Sequence, residues 1–122
     1  MAPLPDSARP ALQEAEDGRI AVSVTPTAGG GVLVKVCGEL DLDSVTHLRT
    51  TLLHALAVCD GAGVALDLSG VTFCDSIGLN ALLRARMQAA DDRHPLTITA
   101  ASPQVTRLLE ITGAAPLFES GP

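Results

Sequence analysis

Apolar positions along the chain change period several times, and the changes divide it into elements. Ile20-Ala21-Val22-Ser23-Val24 alternates at the two-residue period of a strand, and Val32-Leu33-Val34-Lys35-Val36-Cys37 does so again. Gly29-Gly30-Gly31 between them predicts a hairpin turn. The triplet lacks a Gly-Lys-Ser/Thr ending and a following helix, so it does not read as a phosphate loop. The period then lengthens. Val45, Leu48, Leu52 and Leu56 share one helical face behind Asp43 as N-cap, while His47, Arg49, Thr50 and His54 fall elsewhere. Val64 to Leu68 is another strand, and Leu79, Leu82, Leu83, Met87 and Ala90 mark a helix opened by Ser76 as its N-cap. Pro95 to Ala100 predicts a further strand. Ser102-Pro103 caps and opens a last helix with Val105, Leu108 and Leu109 inward and Gly113 as its stop. Leu117-Phe118-Glu119 is expected to add a short edge strand.

Strand-strand-helix-strand-helix-strand-helix is an α/β order: an initial hairpin followed by parallel crossovers, hence one domain with a mixed sheet of about four to five strands and helices packed on it. The order of strands within the sheet does not follow from this pattern. Residues 1–17, rich in Pro, Ala and charge and without apolar periodicity, read as a disordered N-terminal arm ahead of a domain over residues 18–120. Composition then narrows the picture. The chain has 122 residues, 47% of them apolar, with no Trp or Tyr and two Phe, so its core must be aliphatic. Base stacking has almost no aromatic side chain to use, and a formal charge of −6 repels phosphate, so nucleic acid is not an expected partner. Cys37, Cys59 and Cys74 form neither a paired framework nor a zinc spacing. With no secretory pattern and no apolar run long enough to span a membrane, the expected location is cytoplasmic, without membrane insertion.

The chemistry concentrates in Phe73-Cys74-Asp75-Ser76-Ile77-Gly78-Leu79, where a strand pattern gives way to a helical one. A helix N-terminus offers unpaired N–H groups and a partial positive charge, so an anion carried on the Ser76 hydroxyl would sit there without melting the helix. A capping serine is also among the commonest structural devices, so local pattern leaves both readings open. A hydrolase is not indicated: the Gly-x-Ser-x-Gly elbow is absent, and His47, His54 and His94 fall on polar surface. Cys74 has no basic neighbour in sequence to activate it.

Residues 66–79, Leu-Asp-Leu-Ser-Gly-Val-Thr-Phe-Cys-Asp-Ser-Ile-Gly-Leu, resemble the phosphorylation segment of the anti-sigma factor antagonists, the bacterial STAS-domain proteins. Gly38-Glu39-Leu40-Asp41 resembles that family's strand-ending Gly-Glu-Leu-Asp, in the right order and at compatible spacing. The resemblance covers about residues 18 to 120. It implies the STAS fold and a non-enzymatic protein with no cofactor of its own. It also implies a partner switch: the unphosphorylated form binds an anti-sigma factor that is itself a GHKL-type serine kinase, and a sigma factor is released. Phosphorylation at Ser76 ends that binding, and a PP2C-type phosphatase resets it; ATP and magnesium belong to the kinase. STAS domains also serve as accessory subunits of ABC-type transport systems, binding the ATPase, which is the alternative reading.

On this resemblance Ser76 is the phosphoacceptor. Asp75 either shapes the acceptor's surroundings or is simply a favourable acid at a helix start. Gly78 lets another backbone approach, and Leu79 anchors the helix inward. Glu39 and Asp41 belong either to a partner-binding face or to the turn and helix entry. Asn80, Arg84 and Gln88 project from the polar face of the helix as candidate partner contacts. Ile77 stands where many family members carry a second Ser or Thr, so one hydroxyl remains in the motif. Ser69 and Thr72 are expected in the loop before it.

Overall fold

A computed structural model describes residues 11–14 and 20–118. Within them, β2 (Ile20–Pro26) and β3 (Val32–Leu40) form an antiparallel hairpin. Its turn is the short 3₁₀ helix Ala28–Gly30, where Gly29 and Gly30 both take positive φ, as the glycine triplet anticipated. Helix α1 (Val45–Val58) leads to β4 (Val64–Cys74), which lies parallel to β3. Helix α2 (Ser76–Asp91) leads to β5 (Leu96–Ala101), parallel to β4, and α3 (Pro103–Thr112) follows. A strand β1 (Ala11–Glu14) pairs antiparallel with β2, so the mixed sheet runs β1-β2-β3-β4-β5.

Both parallel connections step the same way across the sheet, and right-handed crossovers therefore place α1 and α2 on one face, where they pack against each other. The burial pattern follows. Ile20, Val22, Val32, Val34, Val36, Val64, Leu66 and Leu68 are buried beneath Leu48, Leu52, Leu56, Leu79 and Leu82 of the two helices. Helix α3 packs on β4 and β5 through Val105 and Leu109. Ser102 caps it by accepting from the Val105 N–H, and Gly113 ends it in the left-handed conformation, both as the sequence predicts.

Several expectations are corrected. Four residues assigned to the arm, Ala11–Glu14, form an edge strand, because β2 would otherwise leave a row of donors and acceptors unpaired; positions 1–10 and 15–17 of that arm lie outside the described residues. Asp43 does not cap α1. The turn before that helix is built by Asp41, whose carbonyl accepts from the Val45 N–H, and Ser44 occupies the cap position. Strand β4 runs six residues past Leu68, so Ser69 and Thr72 lie in a strand, not a loop. The buried face of α2 is Gly78, Leu79, Ala81, Leu82, Ala85 and Ala89; Met87 and Ala90 are exposed. Residues 115–118 form a 3₁₀ turn that buries Phe118 against the domain, in place of an edge strand, with Glu119 outside the described residues.

Candidate functional site

At the carboxyl ends of β3 and β4, adjacent in the sheet, the chain leaves for its two packed helices. Glu39 lies opposite Phe73 and Leu40 opposite Cys74, and the two exits are tied by the Asp75 N–H donating to the Leu40 carbonyl at 3.2 Å. The Gly-Glu-Leu-Asp and Asp-Ser-Ile-Gly-Leu words, 34 positions apart from Asp41 to Asp75, thus meet at one end of the sheet.

Helix α2 starts at Ser76, but its N-cap is Asp75. The Asp75 carboxylate accepts from the Ile77 and Gly78 N–H groups, both at 3.0 Å, and Asp75 has extended φ/ψ. This corrects the expectation that Ser76 is the cap and assigns Asp75 a definite structural task. Ser76 is then the first helical residue, exposed, and its hydroxyl is not part of the cap. Gly78 is buried where the first turn meets β3: a Cβ there would lie 2.9 Å from both the Cβ and the carbonyl oxygen of Leu40 and 3.1 Å from the Cys74 sulfur. Only glycine lets α2 start this close to the strand. Leu79 is buried and pins the turn from beneath.

The facing loop is equally well tied down. Ser44, fully buried, donates its hydroxyl to the Glu39 carbonyl at 2.6 Å and accepts from the Asp41 N–H at 3.1 Å. The Asp41 carboxylate accepts from the Asp43 and Ser44 N–H groups. Asp41 is therefore engaged in the turn, while the half-buried Glu39 shares the rim with Phe73. From the far side, the Gln104 amide donates to the Cys74 carbonyl at 3.1 Å, tying α3 to the strand that delivers Ser76. Ser44 and Gln104 were not singled out in the sequence. The first follows an acidic turn that drew attention to Asp43, and the second acts across 30 residues with no local signal.

Asp75, Ser76, Ile77, Gly78, Leu79, Glu39 and Asp41 are brought together. Asn80 and Arg84 are exposed further along α2, as is Gln88. At this end of the sheet several large apolar side chains are exposed: Leu42, which follows the Asp41 turn, is 68% exposed, Phe73 42% and Ile77 39%. Neighbouring hydroxyls are occupied. Ser69 donates to the Asp67 carboxylate at 2.6 Å, the main reason that carboxyl is held below its usual range, and Thr72 donates to the Gly38 carbonyl at 3.4 Å. Cys74 is buried, and desolvation, helped by the Asp75 charge, pushes its thiol up to about 11. It is a packed, protonated side chain, not a nucleophile. Among the described residues no group of His, Cys, Asp and Glu is arranged to hold a metal ion, and no helix is long and apolar enough to cross a membrane.

A family model described as "Mlab, STAS domain" matches residues 23–119. Among solved structures the chain is similar to an anti-sigma factor antagonist from Mycobacterium paratuberculosis, at 25% identity and a TM-score of 0.72 over 87% of each chain. It is also similar to the antagonist SpoIIAA in its unphosphorylated form, at 18% identity and a TM-score of 0.67, covering 83% of this chain and 88% of that one. The phosphorylated form of the Bacillus protein matches at 16% identity and a TM-score of 0.63, over 83% and 91%. At those last two identities the likeness is one of fold.

Proposed function

The chain belongs to the STAS family, and from that premise we propose that it is an anti-sigma factor antagonist whose binding is switched by phosphorylation of Ser76. One observation carries the reading: an exposed serine at the first position of a capped helix, with its hydroxyl outside the cap, at the end of the sheet that also exposes Leu42, Phe73 and Ile77. In the unphosphorylated state this surface docks an anti-sigma factor of the GHKL kinase type, and a sigma factor is released. The apolar trio supplies area, and Glu39, with Asp41 behind it, contributes to the rim. Asn80 and Arg84 extend the contact along α2.

A phosphate on Ser76 adds about −1.5 to −2 charges and three acceptor oxygens at neutral pH. It would stand next to the Asp75 carboxylate and within an otherwise apolar surface, so seating a partner there would require desolvating two adjacent anions. Binding is lost while the fold is kept, because the α2 N-terminus tolerates the charge. The solved SpoIIAA structures, in unphosphorylated and phosphorylated form, both match the present fold, which supports the part of this reading that concerns the fold. A PP2C-type phosphatase resets the switch.

The competing reading is an accessory subunit that binds a transporter's ATPase. The matching family model takes the name Mlab as well as STAS, so family membership alone does not select sigma regulation. Neighbouring genes name the candidate partners. Affinity for an adjacent GHKL kinase that is lost on phosphorylation supports the antagonist. Affinity for an adjacent ABC ATPase, indifferent to Ser76, supports the accessory subunit.

A further inference from the structure

About one and a half turns along α2 from Ser76, at 3.6 residues per turn, the surface changes character. Ala81 and Ala85 are small and buried where α2 packs on α1, and over them an open groove of about 310 Å³ runs between the exposed side chains of the two helices. Its walls are apolar and solvent-facing: Leu53 of α1 is 48% exposed and Met87 of α2 63%. Arg49 of α1 and Arg84 of α2 line it from either helix. We propose that this groove is a second docking surface, adjoining the Ser76 face at Arg84, and that its occupant is an acidic amphipathic helix of a partner protein.

Charge decides the occupant. The whole chain carries −6 with eight Lys and Arg, yet two of its cations border this one groove against a single carboxylate, Asp91, at the far end. A local reversal of sign on an acidic protein favours carboxylates, which the guanidinium fork accepts in bidentate geometry. Shape points the same way. From Ala81 to Asp91 the groove follows α2 for about 15 Å at the 1.5 Å helical rise, which matches about three turns of a helix laid alongside. Such a helix would set apolar residues at i, i+4 and i+7 over the alanine floor, against Leu53 and the adaptable Met87, with Glu or Asp flanking toward the arginines. The groove begins beyond the Ser76 turn, so phosphorylation there does not occlude it.

The test uses the intact ¹⁵N-labelled chain and two synthetic fifteen-residue helical peptides, identical in their Leu spacing, one flanked by Glu and one by Lys. The Glu peptide should shift the amides of Arg49, Leu53, Ala81 and Ala85 and bind about tenfold more tightly than the Lys peptide, the effect expected of two exposed charge pairs changing sign. Arg49→Glu with Arg84→Glu, both exposed, should invert the preference; their own amide spectra report that the fold is kept. Equal binding of both peptides, or shifts centred elsewhere, overturns the proposal. So does peptide-induced movement of resonances from residues 1–10, which would make this chain's own segment the occupant. Concentration-dependent self-association lost in Met87→Asp would equally overturn it, in favour of a second copy.

Discussion

Replacing Gly78 by alanine tests whether the close approach of α2 to β3 is what positions Ser76. In an isolated helix the change would stabilise by about 0.8–1 kcal/mol, the helix-propensity difference between the two residues. Here the added methyl would stand 2.9 Å from the Leu40 Cβ and from the Leu40 carbonyl oxygen, closer than Cβ atoms approach other heavy atoms. One of these partners is backbone, itself held by the Asp75 N–H, so the turn has to move and not merely a side-chain tip. Overpacking of this kind costs about 1–3 kcal/mol. Set against the propensity gain, Gly78→Ala should lose about 1 kcal/mol, with about 2 as the upper end. Urea denaturation followed by circular dichroism reads this directly, as a lower midpoint at unchanged slope. Because the displaced turn carries Ser76, partner affinity should fall as well. A variant stabilised by the full propensity difference would refute the reasoning, since it would mean that α2 has room to spare.

The Asp75 cap serves two N–H groups, so Asp75→Ala should lose about 1–2 kcal/mol in the same assay and Asp75→Asn far less. The Cys74 thiol, raised to about 11 in the fold from an ordinary value of 9.0, binds its proton more tightly when folded than when unfolded. Its stabilising effect is therefore complete below pH 9 and is lost as pH climbs toward 11, by no more than about 2 kcal/mol; urea midpoints should fall over that window in the native chain and fall less in Cys74→Ala. Incubation with the cognate kinase and ATP should add a single phosphate, placed on Ser76 by fragmentation mass spectrometry. Ser76→Ala should abolish labelling, since Ser69 and Thr72 are strand residues with engaged hydroxyls and Ile77 has none.

The architecture is legible in the sequence because period and caps are local. The alternation of β2 and β3, the leucines of α1 and the Ser102 and Gly113 boundaries of α3 all depend on neighbours a few residues away. Legibility ends where two local rules tie or where tertiary contacts decide. Asp75 and Ser76 are both good cap residues, and only backbone geometry separates them. Ser69 and Thr72 are expected in a loop, yet pairing with β3 carries β4 through both, with shifts of register along the way. Met87 looked buried by hydropathy. Close packing of α1 on α2 instead selects the alanines and leaves the larger side chain outside. Within the site, the close approach at Gly78 and the inward Leu79 agree with the motif and Ser76 is the first helical residue in place of the cap, while the exposure of Leu42 and Phe73 and the Gln104 tie become visible only where β3, β4 and α3 converge.

In the proposed switch the charge state of Ser76 controls docking on a face that otherwise stays intact. Isothermal titration calorimetry of the anti-sigma partner against three forms of this chain tests it most directly: native and unphosphorylated, stoichiometrically phosphorylated, and Ser76→Ala exposed to kinase and ATP. Binding should be tight for the first and third and at least about a hundredfold weaker for the second, a difference of about 2.7 kcal/mol, with identical circular dichroism for all three. Equal affinities across the series would contradict it, and so would loss of binding accompanied by loss of helical signal.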